Sequence, residues 1–220
     1  MRMRTFLVLI LAAFTAAQIS AQSNALPFAR GLYFAGAGHY SATDGGFDGQ
    51  SVYLVDSGAE ILVVPRINMG FGGGGLIGYR ADNWAYEAGG SYRASGSSWL
   101  GQPYDTTSLG FTFDVQWLPL AATSLQPYLS AGLGISTLTV RNGSSGITVG
   151  DAQYYLGGFR FGVGLEAWAT RRLFIRLQGI YRIDRVVSVQ GADDTSRIDL
   201  SDPLNANGYE LSLIVGYVVL

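Results

Sequence analysis

Taken at every second position, the stretch from Tyr155 to Asp184 separates into two faces. Tyr155, Phe159, Phe161, Val163 and Leu165 alternate with Arg160, Gly162, Gly164 and Glu166. After Ala169, Thr170, Arg171 and Arg172 the pattern resumes, with Leu173, Ile175, Leu177, Tyr181 and Ile183 opposed to Arg176, Gln178, Arg182 and Asp184. A period of two marks strands. Two strands joined by so short a link are antiparallel neighbours, so this hairpin has one apolar face and one face of charge and glycine.

The alternation recurs along the chain and predicts eight strands. In the first, Gly31 to Ser41, small residues dominate; Gly36 and Gly38 are placed inward, leaving Tyr33, Ala35 and Ala37 outward. A long connection, Ala42 to Pro65, follows, and its apolar Glu60 to Val64 segment extends the next strand. The second strand, Arg66 to Arg80, sets Ile67, Met69, Phe71, Ile77 and Tyr79 against Asn68, Gly70, Gly72, Gly74, Gly78 and Arg80. Beyond the tight turn at Ala81-Asp82-Asn83, the third sets Trp84, Tyr86, Ala88 and Tyr92 against Glu87, Gly89, Ser91 and Arg93. Ala94 to Thr107 reads as a loop. The fourth strand opposes Leu109, Phe111, Phe113, Val115 and Trp117 to Gly110, Thr112, Asp114 and Gln116, and stops at Pro119. The fifth opposes Leu129, Ala131, Leu133 and Ile135 to Tyr128, Ser130, Gly132, Gly134 and Ser136. Arg141 to Ala152 and Val186 to Gly208 read as loops around the hairpin already described, and Tyr209 to Leu220 is the eighth strand. Val115 to Val140 contains no charge, but Pro119, Pro127 and its alternating polar positions make it two strands and a turn rather than a spanning helix.

Three features turn this pattern into an expected fold: an all-β, eight-stranded antiparallel up-and-down transmembrane β-barrel. The strands are long enough to cross the hydrocarbon layer at a tilt. Long and short connections alternate, as when all loops lie on one side. Large aromatics gather beside the short turns, with Tyr79, Trp84, Trp117, Tyr128, Trp168 and Phe174 read as a lower girdle and Tyr92, Tyr154, Tyr181 and Tyr209 as an upper one. Trp168 has the wrong parity for that place, which implies a slip in the alternation at its turn. A soluble lipocalin also has eight strands, with charge outside. Here the charged face also carries Gly70, Gly72, Gly74, Gly132, Gly134, Gly162 and Gly164. Small residues suit the crowded interior of a narrow barrel, so the charged face is the lumen.

The run Gly-Val-Gly-Leu-Glu-Ala-Trp, turn, Leu-Phe-Ile-Arg-Leu-Gln-Gly-Ile-Tyr-Arg resembles the penultimate hairpin of small bacterial outer-membrane barrels, the relatives of outer-membrane proteins A, X and W and the opacity-type proteins. The last strand, with Tyr209, Leu211, Leu213, Val215, Tyr217 and Val219 outward, is similar to that family's terminal signal for the outer-membrane assembly machinery. It departs in ending on Leu220 where the family has an aromatic. The resemblance implies a monomer in the bacterial outer membrane, surrounded by its lipid, with both termini periplasmic.

Composition bounds the rest. Arg2 and Arg4 precede an apolar run from Phe6 to Phe14, and Ile19-Ser20-Ala21 offers a cleavage site, so residues 1–21 are expected to be a signal peptide and 22–220 one barrel domain. The chain has no Cys, which excludes a lipid-anchored lipoprotein and disulfides. Without the two leader arginines the formal net charge falls from −2 to −4, which is no nucleic-acid footprint. Charged residues make up only 14%, against 31 Gly and 13 Tyr, which is unlike an ordinary soluble surface. Every basic residue is Arg, a residue suited to buried ion pairs.

The expected lumenal polar network is Arg80, Glu87, Arg93, Asp114, Arg160, Glu166, Arg176, Arg182 and Asp184. Unpaired charges in a narrow interior are costly, so these residues should compensate one another. The one histidine forms His39-Tyr40-Ser41. The resemblance makes this a candidate for a lipid-modifying site of the lipid A deacylase or acyltransferase type, although catalysis needs an orienting acid that the sequence does not place. Asp44 and Asp48, and Asp193, Asp194, Asp199 and Asp202, read as solvated loop acids rather than a complete cation site. No catalytic, cofactor or metal site is expected, nor is a peptidoglycan-binding domain after the eighth strand. The leading expectation is a non-enzymatic envelope or surface-interaction protein, with Glu60 to Val64, Trp99 and Tyr104 as contact points. The alternatives are the lipid-modifying enzyme and a small passive channel.

Overall fold

The computed structural model describes residues 30–43, 51–54, 60–63, 66–99, 102–120, 124–141, 152–190 and 198–219, with backbone alone at 51–54, 60–63, 99, 102 and 198–202. Eleven strands run in chain order: β1 (Gly31–Thr43), β2 (Ser51–Leu54), β3 (Glu60–Val63), β4 (Arg66–Ala81), β5 (Trp84–Trp99), β6 (Gln102–Trp117), β7 (Leu125–Arg141), β8 (Ala152–Trp168), β9 (Leu173–Gln190), β10 (Ile198–Asn205) and β11 (Gly208–Val218). Eight of them close an antiparallel barrel in the order β1-β4-β5-β6-β7-β8-β9-β11, with β11 returning to β1. Closure leaves no edge along the spanning region, so every backbone donor and acceptor there can pair. The expected signal segment, the aspartates at 44, 48, 193 and 194, and Val64 lie outside the described residues.

The outer wall is apolar over a tall belt. Phe71, Tyr92, Phe111, Phe113, Leu133, Ile135, Phe159, Leu177, Leu211 and Leu213 are all exposed, while Arg80, Glu87, Asp114, Glu166, Arg176 and Asp184 are buried on the inner face. That inversion of a soluble protein identifies the wall as lipid-facing. The short turns are locally specified. Asp82 sits at φ 48° in the β4–β5 turn, a region that Asp tolerates. In the β8–β9 turn, Thr170 Oγ1 accepts from the N–H groups of Arg172 and Leu173 at 3.2 and 3.0 Å.

Several expectations about facing are corrected. In β1 the parity is reversed: Tyr33, Ala35 and Ala37 face inward and Phe34, Gly36 and Gly38 outward. Phe34 is the residue that hydrocarbon accepts, while the Tyr33 hydroxyl needs a partner and finds Glu87 inside. Ile67 is buried, because the β4–β5 register shifts between Ile67 and Gly70. Trp168 faces the interior at 7% exposure, with no slip in the parity of β8. Tyr128, Phe174 and Tyr154 also point inward, so the outward girdle at the turn end is Tyr79, Trp84 and Trp117, and Tyr92, Tyr181 and Tyr209 hold the loop end.

The connections at the loop end contain more strand than the alternation predicts. β5 and β6 stay paired through Trp99 and Gln102, replacing the loop read at 94–107. β7 runs on to Arg141, and β9 runs on to Gln190 with β10 against it. Glu60–Val63 pairs with β2 in a separate hairpin instead of extending β4. Above the lipid belt the inner face turns apolar, and Ile67, Tyr104, Leu138, Val140, Ala152, Tyr154, Val186, Val189 and Ala206 pack into a core that closes this end. Tyr104 is therefore a buried residue of this core and not an exposed contact point.

Candidate functional site

The lumen is where the chain concentrates its chemistry, and it divides into two layers. Nearer the turn end, Arg80 of β4 and Arg176 of β9 are fully buried with Glu166 of β8 and Glu87 of β5. Arg176 donates to Glu87 Oε1 at 2.5 Å and to Glu166 Oε2 at 2.8 Å, and Arg80 pairs with Glu166 Oε1. The Glu87 carboxylate also accepts from Tyr33 Oη at 2.5 Å and Gln116 Nε2 at 2.5 Å, while Arg80 also donates to Gln126 Oε1 at 2.9 Å. Two cations and two anions leave this layer neutral, which is the condition for burying such groups. Aromatic rings close it toward the turns. Trp168 lies 5.1 Å from the Arg80 guanidinium, and Tyr128 and Phe174 lie 5.1 and 5.0 Å from that of Arg176.

Nearer the loops, Arg160 approaches Asp114 at 3.3 Å and Glu210 at 3.7 Å, and Arg182 approaches Asp184 at 3.6 Å. Arg93 donates to Ser41 Oγ at 2.6 Å. Two small cavities of about 30 and 50 Å³ lie among these groups, room for a few waters each. All nine residues of the expected network thus face the lumen, in two groups. Sequence reasoning missed Glu210, Tyr33, Gln126 and the inward rings. Glu210 was legible as a lone acid between the outward Tyr209 and Leu211; Tyr33 was hidden by the ambiguous parity of β1.

Glycine on the inner face makes the room. Tyr33 stands directly across from Gly78, His39 from Gly72, Tyr128 from Gly164 and Phe174 from Gly216, and each ring occupies the space that a Cβ on its partner would need. Asp114 and Asp184 stand in the same way across from Gly132 and Gly158.

His39 is buried in the upper layer, and the fold places the acid that the sequence left open: Glu210 is the cross-strand partner of Ser41. The arrangement is nonetheless a polar network. Ser41 accepts from Arg93, Glu210 accepts from Ser212 at 3.1 Å and faces Arg160, and His39 bonds the Tyr92 carbonyl. All of these residues face the inside of a wall whose outside faces lipid. Among the described residues no three metal-ligating side chains cluster.

The chain matches no protein-family model and no curated protein. Among solved structures it is similar to Neisserial surface protein A, at 15% identity and a TM-score of 0.52, covering 86% of this chain and 99% of that one. It is similar also to the outer membrane protein OprG from Pseudomonas aeruginosa, at 16% identity and a TM-score of 0.52, covering 87% and 98%. At these identities the likeness is one of architecture, and the architecture is that of the small eight-stranded outer-membrane barrels.

Proposed function

We propose that this protein is a monomeric, non-enzymatic barrel of the bacterial outer membrane that conducts nothing through its lumen and serves envelope structure or surface interaction through its loop end. The observation that carries this reading is the double closure of the lumen. A neutral ion-pair layer capped by Trp168, Phe174 and Tyr128 fills the turn end, and the apolar core around Leu138 and Tyr154 fills the loop end. An eight-strand interior is only wide enough for side chains, which agrees with a filled plug. Strands that run past the lipid belt at one end alone support loops facing outward and termini facing the periplasm, with Tyr209 to Leu220 presented to the assembly machinery. Planar-bilayer recording of the purified barrel is expected to give no steps above background, and steady conductance would overturn the closed-lumen reading. Removing the loop-end segments should alter adhesion or envelope integrity, and unchanged phenotypes would remove the surface role. The lipid-modifying alternative rests on His39, Ser41 and Glu210; an unchanged lipid A mass profile in His39→Ala cells would dismiss it.

A further inference from the structure

The lumenal layer nearer the loops is less well paired than the layer below it. Arg160 and Arg182 are direct cross-strand partners on β8 and β9, so two like charges stand side by side on the inner wall. Such a pair costs stability. Their carboxylates stand at 3.3, 3.7 and 3.6 Å, against 2.5 and 2.8 Å for the Arg176 pairs of the layer below. The Nε atoms of both arginines are buried without a hydrogen-bond partner among the described residues, the 3.3 Å contact of Asp114 with Arg160 Nε being out of line for one. Buried donors left unsatisfied are costly. Both side chains line the cavity of about 30 Å³, to which β5, β6 and β7 contribute the hydroxyl-bearing Ser91, Ser108, Thr112 and Ser136. Water in that space satisfies a donor but leaves the two cations facing each other, whereas an anion answers both.

We propose that this cavity binds one small inorganic anion of the size of chloride between the guanidinium groups of Arg160 and Arg182, together with one proton. A monatomic anion fits a space that holds only a few waters, and it accepts from guanidinium and hydroxyl donors alike. Charge balance sets how it enters. Arg93, Arg160 and Arg182 are offset by Asp114, Asp184 and Glu210, so the layer is neutral and an added anion requires an added proton. His39 lines both cavities and is the group placed to take it. Glu210 on β11, Arg93 on β5 and Arg160 on β8 are the charges that face it, while β4 presents only Gly72 there. Anion and proton are therefore linked, and binding strengthens as pH falls through the range in which an imidazole charges. The site lies between the ion-pair layer and the apolar core, so the ion is held in place and carries no current.

The test is the folding equilibrium of the full barrel in phospholipid vesicles as chloride replaces gluconate, an anion too large for the cavity, at constant ionic strength. A ligand that binds only the folded state stabilises it. The wild-type urea midpoint is expected to rise with chloride, and to rise more at about pH 6 than at about pH 8. The rise is expected to vanish in Arg182→Gln and in Ser136→Leu, which keeps every charge and fills the cavity, and to persist in Arg171→Gln at the exposed turn. His39→Gln is expected to show no gain at the lower pH. Heat-modifiable gel mobility reports folding of each variant. A wild-type crystal grown in sodium bromide needs no variant, and an anomalous peak between the two arginines is expected. No chloride-dependent shift in the wild type, a shift shared equally by every variant, or water alone at the site in the bromide crystal overturns the proposal. A bromide peak without chloride dependence in solution means binding at crystal concentration only and overturns it too. A shift of equal size at both pH values overturns the coupled proton.

Discussion

Glu87 and Arg176 lie on diametrically opposed strands of the barrel, β5 and β9, yet their side chains meet at 2.5 Å. Arg80 on β4 and Glu166 on β8 form a second pair across a full diameter. Backbone pairing holds each strand only to its two neighbours. These ion pairs, joined by Tyr33, Gln116 and Gln126, tie opposite walls together.

Arg176→Met should therefore be far more damaging than its loss of one charge suggests, because Glu87 and Glu166 would remain buried with their main partner gone. Removing one member of a buried pair costs about 3–5 kcal/mol. Urea unfolding in phospholipid vesicles, followed by gel mobility, should show a loss of this size.

Inward and outward glycines should respond in opposite directions. Gly78→Ala and Gly164→Ala drive a methyl group into the rings of Tyr33 and Tyr128 and should destabilise by about 1–3 kcal/mol. Gly179→Ala adds its methyl group to open space and should stabilise by about 0.4–1 kcal/mol through the unfolded chain. The same unfolding measurement distinguishes them.

Tryptophan placement is directly measurable. In variants retaining a single Trp, brominated phospholipid should quench Trp84 and Trp117, which are 47% and 41% exposed on the outer wall, and should leave Trp168 nearly unaffected. Strong quenching of Trp168 would restore the outward girdle position that the sequence suggested.

The apolar core at the loop end should act as the seal above the polar lumen. Ser136 lines a cavity below Leu138, and the chain has no native cysteine to interfere with labelling. Ser136→Cys should resist a charged thiol reagent, and adding Leu138→Ala should open it to labelling while costing about 2–5 kcal/mol. Equal labelling rates in the two backgrounds would show that the core is no seal.

The chain by itself determined the eight barrel strands, their antiparallel order and the inner face of seven of them, because a period of two in side-chain polarity survives any tertiary arrangement. The nine lumenal charges were legible for the same reason: on a two-faced strand, parity is placement. Alternation failed where polarity and size disagree. In β1 nearly every side chain is small, so nothing in the pattern favoured Phe34 or Tyr33 for the lipid side, and the choice was made by a hydroxyl that reaches Glu87 from a strand 54 residues away in sequence. Trp168, Tyr128, Phe174 and Tyr154 look like girdle residues by composition. Trp168, Tyr128 and Phe174 became plugs because glycine across the strand leaves space or a buried cation offers ring contact, and Tyr154 because it joins the apolar core at the loop end; each depends on closure. The pairing of charges across the diameter and the apolar core at the loop end were likewise decided only by the closed barrel. Closure brings together residues that no local periodicity relates.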